Sequence, residues 1–89
     1  MNAVVDHYDP TPKYLQIAAI VRDQIRAGEL EPLDPIPSEL QMSQIHGVAR
    51  KTARAAVRVL ADEGWVFTIQ SRGTYVSRVE DWPEQPAVE

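Results

Sequence analysis

Cysteine is absent from this chain of 89 residues, and long apolar runs are absent too. Without cysteine there is no disulfide framework and no thiolate metal site, which fits a cytoplasmic protein. No run approaches the roughly 20 apolar residues that cross a bilayer, and residues 1–15 lack a signal-peptide pattern. His7 and His46 are far apart with no third ligand, so no metal site or catalytic pair is predicted. We therefore expect no enzyme activity, no metal, no cofactor and no membrane contact.

Excess positive charge is missing as well, because the formal net charge is −4. Taken alone, that value argues against a nucleic-acid binder. The charges are unevenly distributed, however, and electrostatic fields act locally. Residues 1–37 carry a net −3, residues 38–78 carry +3, and residues 79–89 carry −4. A basic middle is therefore flanked by acidic ends, which we expect to weaken nonspecific binding to DNA.

The length and composition predict one globular domain with a small core. The chain is 44% hydrophobic and 25% charged, close to globular averages. Residues 1–11 show no periodicity and are interpreted as a flexible N-terminal arm, and residues 12–78 form the domain. Residues 79–89, which include two prolines, are interpreted as an acidic flexible C-terminal tail.

Three helices are predicted from hydrophobic spacing and capping residues. Apolar residues three and four apart indicate a helix over 12–27, with Thr11 as its N-cap. The S-x-x-Q sequence at Ser38 predicts the start of a second, short helix, which ends near Gly47. The third helix is expected over about residues 50–62.

Beyond the third helix, the hydrophobic period changes to two. Residues 65–70 and 74–77 flank Ser71-Arg72-Gly73, a pattern typical of a β-hairpin with a glycine in its turn. Residues 35–37 are expected to form at most a short edge strand. The predicted fold class is mainly α with a small β-hairpin (α+β), a three-helix winged helix-turn-helix.

The third helix carries the most informative pattern. At about 100° per residue, its basic side chains and its core-type side chains fall on two separate arcs. The basic arc holds Arg50, Lys51, Arg54 and Arg58, and the apolar arc holds Ala53, Ala56, Val57 and Leu60. A solvated face is the plain interpretation, but such faces normally mix both signs. The single sign favours a recognition helix for the major groove of DNA.

Arg72 and Gly73 are a second candidate for contact with DNA. A small, positive hairpin tip is able to enter the minor groove, whose potential attracts arginine. The alternative interpretation is an ordinary hairpin turn in which the arginine has no role.

Several short stretches occur together in a particular order and spacing. They are Pro12–Ile17, Ile25–Leu30, Ile36–Glu39, Gly47-Val48, Arg50 with Thr52 and Arg54, Leu60–Gly64, and Arg72–Val76. Through these stretches, in this order and at this spacing, residues 12–76 resemble the N-terminal DNA-binding domain of GntR-type bacterial transcription regulators, a winged helix-turn-helix. The resemblance implies sequence-specific binding to double-stranded DNA in transcriptional regulation.

The resemblance also implies roles for individual residues. Arg50, Thr52 and Arg54 would contact base edges and phosphates, and Lys51 would add a phosphate contact. Ser38 would cap the second helix, directing its N-terminus at a phosphate. The complete predicted DNA-binding set is Ser38, Arg50, Lys51, Thr52, Arg54, Arg58, Arg72, Gly73 and Thr74.

The sequence also departs from the family pattern. Leu40 and Ala55 stand where arginine is common, and Ala49 replaces a capping serine. Leu33 and Ser71 stand where glycine is frequent. These losses support an alternative hypothesis, a winged-helix protein-interaction module that has lost most DNA contacts. Leu40 itself is interpreted as a packing residue rather than part of a partner surface.

Members of the family carry a C-terminal domain for ligand binding and dimerisation, whereas this sequence stops about thirteen residues past the hairpin, the wing of the winged helix. The sequence is either a piece of a longer protein or a stand-alone module, and the acidic tail favours a natural terminus. No site for a small-molecule effector is evident. A stand-alone module would bind as a homodimer, through its arm, first helix or tail, or would bind cooperatively. His46 is interpreted as a packing residue, and Trp82 as either a docking aromatic or a loosely packed side chain.

Overall fold

Three helices and a hairpin follow one another in the predicted order. The computed structural model describes residues 3–85. Its elements are α1 (Lys13–Arg26), α2 (Glu39–His46), α3 (Arg50–Glu63), β1 (Val66–Ile69), β2 (Gly73–Val76) and a 3₁₀ turn (Val79–Asp81). The predicted fold class, a three-helix winged helix with a two-stranded antiparallel hairpin, is confirmed. Within residues 3–85, no helix has the length and apolarity to cross a membrane.

The core lies between α1 and α3 and is closed by the base of the hairpin. Both helices place one apolar stripe in this layer, as their spacing predicts. The buried stripe of α1 is Ile17, Ala18, Val21 and Ile25, and that of α3 is Ala53, Ala56 and Leu60. Small side chains at positions 53 and 56 let α1 approach α3 closely. Trp65, Val66 and Val76 close the layer from the hairpin side.

The helix ends differ in how they are capped. At α2 the predicted capping box is confirmed, because Gln41 N–H donates to Ser38 Oγ and Ser38 N–H donates to Gln41 Oε1. At α1 the prediction of Thr11 as N-cap is wrong. Pro12 occupies that position in an extended conformation, and no side chain caps the helix. Ala49 likewise provides no side-chain cap for α3.

The connector between α1 and α2 runs beside the hairpin. Val66 pairs with Val76 at the base of the hairpin. On the other edge of β2, Leu33 N–H donates to Val76 O over 2.8 Å, and Val76 N–H donates to Asp34 O over 2.8 Å. A single bridge joins Pro35 to Tyr75. The expected edge strand is thus reduced to one bridge, which ties the hairpin to the start of α2.

The N-terminal segment, interpreted from the sequence as a flexible arm over residues 1–11, packs on the domain through Val5 in its described part. Val5 is 5% exposed and belongs to the hydrophobic core. Its N–H donates to Nδ1 of His46 over 3.2 Å, and Nε2 of His7 donates to the carbonyl oxygen of His46 over 3.0 Å. Burial of one apolar side chain and these hydrogen bonds hold the segment against the end of α2. Residues 1–2 lie outside the described part.

The C-terminal segment, interpreted from the sequence as a flexible tail over residues 79–89, also packs back on the domain in its described part. The Trp82 ring is half-buried, with its centroid 5.6 Å from that of Trp65, and its Nε1–H donates to Ser77 O over 2.9 Å. Both carboxylate oxygens of Glu84 accept from Arg26 at 2.9 Å. The Arg26 guanidinium lies 5.3 Å from the Trp65 ring centroid. Aromatic packing and this ion pair therefore fix the segment, while residues 86–89, with Pro86, lie outside the described residues.

The stability of the domain should depend on the packing of Trp82. We expect Trp82→Ala to lower the free energy of unfolding by about 2 kcal/mol, because a half-buried aromatic contact and a hydrogen bond are lost. Glu80→Ala, at an exposed position in the neighbouring 3₁₀ turn, should change it by less than about 0.5 kcal/mol. Urea denaturation followed by far-UV circular dichroism measures both. Equal stabilities for the two variants would contradict the packed position of Trp82.

The stability of the domain should also fall on mild acidification. Burial lowers the pKa of His46 from its ordinary 6.5, and its Nδ1 accepts a hydrogen bond that protonation would abolish. Above pH 6.5 the ring is neutral in both states. Below it the unfolded chain binds a proton that the folded chain does not, so the free energy of unfolding decreases by at most about 1.4 kcal/mol per pH unit.

The measurement is urea denaturation between pH 7.5 and 5.5. His46→Phe should flatten the pH dependence, whereas His7→Gln should leave it in place. An unchanged slope in His46→Phe would show that another group is responsible.

Candidate nucleic-acid interface

The basic residues of α3 lie on the exposed side of the helix. Arg50, Lys51, Arg54 and Arg58 are exposed, and Thr52 is half-buried. Ala53, Ala56 and Leu60 on the opposite side are fully buried. The two arcs predicted from the sequence are therefore confirmed. The apolar stripe fixes the helix against α1, and that orientation leaves the basic side chains exposed to solvent.

Most of the predicted basic residues have no acidic partner. Among residues 3–85, the salt bridges are Arg22–Glu63, Arg26–Asp23, Arg26–Glu84 and Arg54–Glu39. Three of these pairs involve α1. In the same part of the chain, no carboxylate pairs with Arg50, Lys51, Arg58 or Arg72. The positive charge of α3 and of the hairpin tip is thus available to an external anion.

Arg54 is the exception, since it pairs with Glu39 across the helix-turn-helix. Its Nε lies 3.2 Å and its Nη2 3.1 Å from Glu39 Oε1. The hydrogen bond to this carboxylate raises the pKa of Arg54 above its usual value, and the Coulomb attraction adds to the effect. Solvent and salt screen such exposed pairs, so a phosphate is able to displace Glu39. The pair holds Arg54 at the start of α2.

Sequence reasoning missed this role for Glu39. The capping box placed it in the first turn of α2, but the turn between the helices decides which side chain of α3 it meets. The two residues are fifteen positions apart, beyond the reach of any helical spacing rule.

The capping box at the start of α2 determines which backbone amides are free to meet a phosphate. The capping box uses the N–H groups of Ser38 and Gln41. The amides of Glu39 and Leu40 are the remaining first-turn donors without a partner among residues 3–85. The contact predicted for Ser38 would therefore use these two amides and the hydroxyl hydrogen of Ser38, because Ser38 Oγ only accepts in the capping box.

The hairpin tip presents Arg72 to solvent. The turn covers residues 70–72, so Gly73 belongs to β2 and not to the turn that was predicted to contain it. Ser71 takes the left-handed conformation at φ 67°, which costs roughly 1–2 kcal/mol for a residue other than glycine. Thr74 is half-buried, and its Oγ1 lies 3.0 Å from Oγ1 of Thr68. Among the departures from the family pattern, Leu33 is left-handed too, at φ 70°.

An open groove of about 660 Å³ separates the helix-turn-helix from the hairpin. It brings together five predicted site residues, namely Ser38, Arg50, Arg72, Gly73 and Thr74. Lys51, Thr52, Arg54 and Arg58 are not part of its lining. Leu40 is part of it and is 49% exposed, so the interpretation of Leu40 as a packing residue is wrong. The core side of α2 is filled by Met42 and His46 instead, and Leu40 lies at the groove.

The fold and this surface define a winged helix-turn-helix domain. Its recognition helix, α3, is basic, and so is the tip of its wing, the hairpin of β1 and β2. The chain belongs to the GntR family, because the family model described as "Bacterial regulatory proteins, gntR family" matches residues 13–76. The resemblance stated from the sequence is thereby confirmed.

Curated relatives cover most of the chain. It is 38% identical over 74 residues to the HTH-type transcriptional repressor NagR of Bacillus subtilis (strain 168), a match over 83% of this chain and 30% of the relative. It is 45% identical over 65 residues to the mannosyl-D-glycerate transport/metabolism system repressor MngR of Escherichia coli (strain K12), over 73% and 27% respectively. The chain thus spans less than a third of the length of these relatives.

Solved structures match the fold closely. The structure of AraR(DBD) in complex with operator ORX1 matches with a TM-score of 0.78 and 31% identity, over 84% of this chain and 95% of that one. YtrA from Sulfolobus acidocaldarius, a GntR-family transcription factor, matches with a TM-score of 0.76 and 35% identity, over 83% and 78%.

The left-handed residue in the wing turn yields a stability prediction. Ser71→Gly removes the steric cost of φ 67° but adds chain entropy to the unfolded state, so we expect a net gain of up to about 1 kcal/mol. Ser71→Val should lower the free energy of unfolding, since a β-branched residue is strained there. Thermal denaturation followed by circular dichroism measures both variants. A less stable glycine variant would mean that the turn is not left-handed at this residue.

Proposed function

We propose that this chain is a sequence-specific double-stranded DNA-binding module that acts in transcriptional regulation in the bacterial cytoplasm. The observation that carries the proposal is the set of basic side chains on α3 and the wing without an acidic partner among residues 3–85. The similarity to AraR(DBD), which was solved in complex with its operator, supports it.

The dimensions of α3 fit a major groove. Arg50 and Arg58 are eight residues apart, so the basic face is about 12 Å long at 1.5 Å per residue. A helix with its side chains is about 10–12 Å across, which fits the width of the major groove, about 12 Å. With α3 in that groove, the wing would lie beside an adjacent minor groove, where Arg72 would bind. Arg50, Thr52 and Arg54 would contact base edges and phosphates, and Lys51 and Arg58 would contact phosphates.

The acidic residues do not stand against this proposal. Three carboxylates, those of Asp23, Glu63 and Glu84, pair with arginines of α1. Most of the negative charge in the described ion pairs therefore lies away from the lining of the groove. A local field of one sign is what steers a polyanion, even when the net charge is negative.

Binding of two copies is part of the proposal. The symmetric arrangement would place two α3 helices in half-sites about one helical turn apart. Sedimentation at several protein concentrations, with and without duplex, separates a dimer formed in solution from one that assembles on DNA.

Binding should depend on salt and on Arg50. We expect the wild-type chain to bind a duplex selected from a randomised pool with a log–log salt slope of roughly −4 to −5. Arg50→Ala should weaken binding by about 1–3 kcal/mol and relax the base preference at one position. Fluorescence anisotropy between 50 and 200 mM salt, on selected and random duplexes, is the measurement.

The matched control is Arg22→Ala, because Arg22 pairs with Glu63 at the far end of α3. It should leave the affinity within about twofold. Binding without a salt slope, or equal binding to selected and random duplexes, would overturn the proposal. The absence of binding to any duplex would favour the protein-interaction module instead.

A further inference from the structure

We propose that Leu40 reads the 5-methyl group of a thymine in the major groove, and so sets part of the sequence preference. This inference rests on the proposed DNA binding and goes beyond it. It assigns a base-reading role to an apolar residue, in addition to the basic residues considered above.

Leu40 occupies an unusual place for an exposed leucine. It is the second residue of α2, is 49% exposed, and shares the lining of the groove with Arg50 and Arg72. Isolated exposed leucines are common on protein surfaces and need no explanation. Ile69 at the end of β1, 42% exposed, lines the same groove. The groove therefore combines an apolar surface with a basic rim.

The charges in the groove indicate what it binds. The only carboxylate among its lining residues is Glu39, and that carboxylate is already paired with Arg54. Arg50 and Arg72 are left without an acidic partner among residues 3–85. An occupant that satisfies this groove carries several negative charges and also an apolar group. Duplex DNA has both, because the thymine methyl is the apolar group that base edges present in the major groove.

The backbone around Leu40 is well fixed for such a contact. The two hydrogen bonds of the capping box hold the first turn of α2 on either side of Leu40, at 2.8 and 3.1 Å. The free amides of Glu39 and Leu40 favour a phosphate at the same helix end. A phosphate held there would bring the adjoining base edges towards the Leu40 side chain.

The experiment compares thymidine with deoxyuridine, which differ only in the 5-methyl group of the base. The wild-type chain first selects a duplex from a randomised pool. Each thymine of that duplex is then replaced in turn by deoxyuridine, and affinities are measured by fluorescence anisotropy. We expect one position per half-site at which the wild-type affinity falls about fourfold, the effect of one buried methyl-sized group.

Two variants assign the effect to Leu40. Leu40→Ala should bind the thymine and deoxyuridine duplexes equally at that position. Ile45→Ala is the matched control: Ile45 lies on the same helix with the same 49% exposure, but outside the groove, beside Val21 and Met42. It should keep the fourfold difference. Leu40→Arg, selected afresh, should replace thymine by guanine there, because guanine is the commonest base partner of arginine.

Each result has one meaning. Loss of the methyl effect in Leu40→Ala alone supports the proposal. Tight, salt-dependent binding without a sensitive thymine overturns it while leaving the proposed function intact, and so does a methyl effect that persists in Leu40→Ala. If the wild-type chain binds no duplex selectively, the proposed function fails and this inference fails with it.

Discussion

The packing of α3 on α1 is the contact on which the rest of the structure depends. Ala53, Ala56 and Leu60 have no exposed surface, so α3 has one orientation about its own axis. Because that orientation is fixed from inside, the basic side chains on the other arc point outward together. The same layer receives Trp65 and Val76 from the hairpin, which sets where the wing stands relative to α3. The surface proposed to bind DNA is thus positioned by core residues that would not themselves contact the DNA.

The two chain ends complete this core in different ways. Near the N-terminus, Val5 adds an apolar side chain, and its backbone binds the ring of His46 at the end of α2. Near the C-terminus, Trp82 covers Trp65, and Glu84 binds Arg26. A domain of this size has little core to spare, so such additions matter to its stability. They also place the described acidic side chain of Glu84 beside α1, where it neutralises an arginine outside the proposed interface.

Hydrophobic spacing predicted α1, the hairpin and the two arcs of α3, since each of these follows from local periodicity. The capping box at Ser38 was equally readable, because both of its hydrogen bonds lie within four residues. The packing of Val5 and Trp82 could not be predicted from the sequence, because each lies in a segment without periodicity and is covered only by distant parts of the chain. Leu40 was assigned to the core in error. The eight residues of α2 are too few for a clear stripe, and Met42 and His46 are what fill its inner side.

The pair between Glu39 and Arg54 has a further consequence for the energetics of the proposed complex. When a lysine or arginine binds a phosphate in salt solution, counter-ions are released and the entropy of the solution rises. Arg54 instead carries a counter-ion that belongs to the same chain. When Arg54 moves to a phosphate, Glu39 is left behind and cannot diffuse away. The negative charge of Glu39 stays beside the DNA and offsets that of Arg54, so fewer cations leave the phosphates, and an ionic-strength titration would count fewer phosphates than the protein touches.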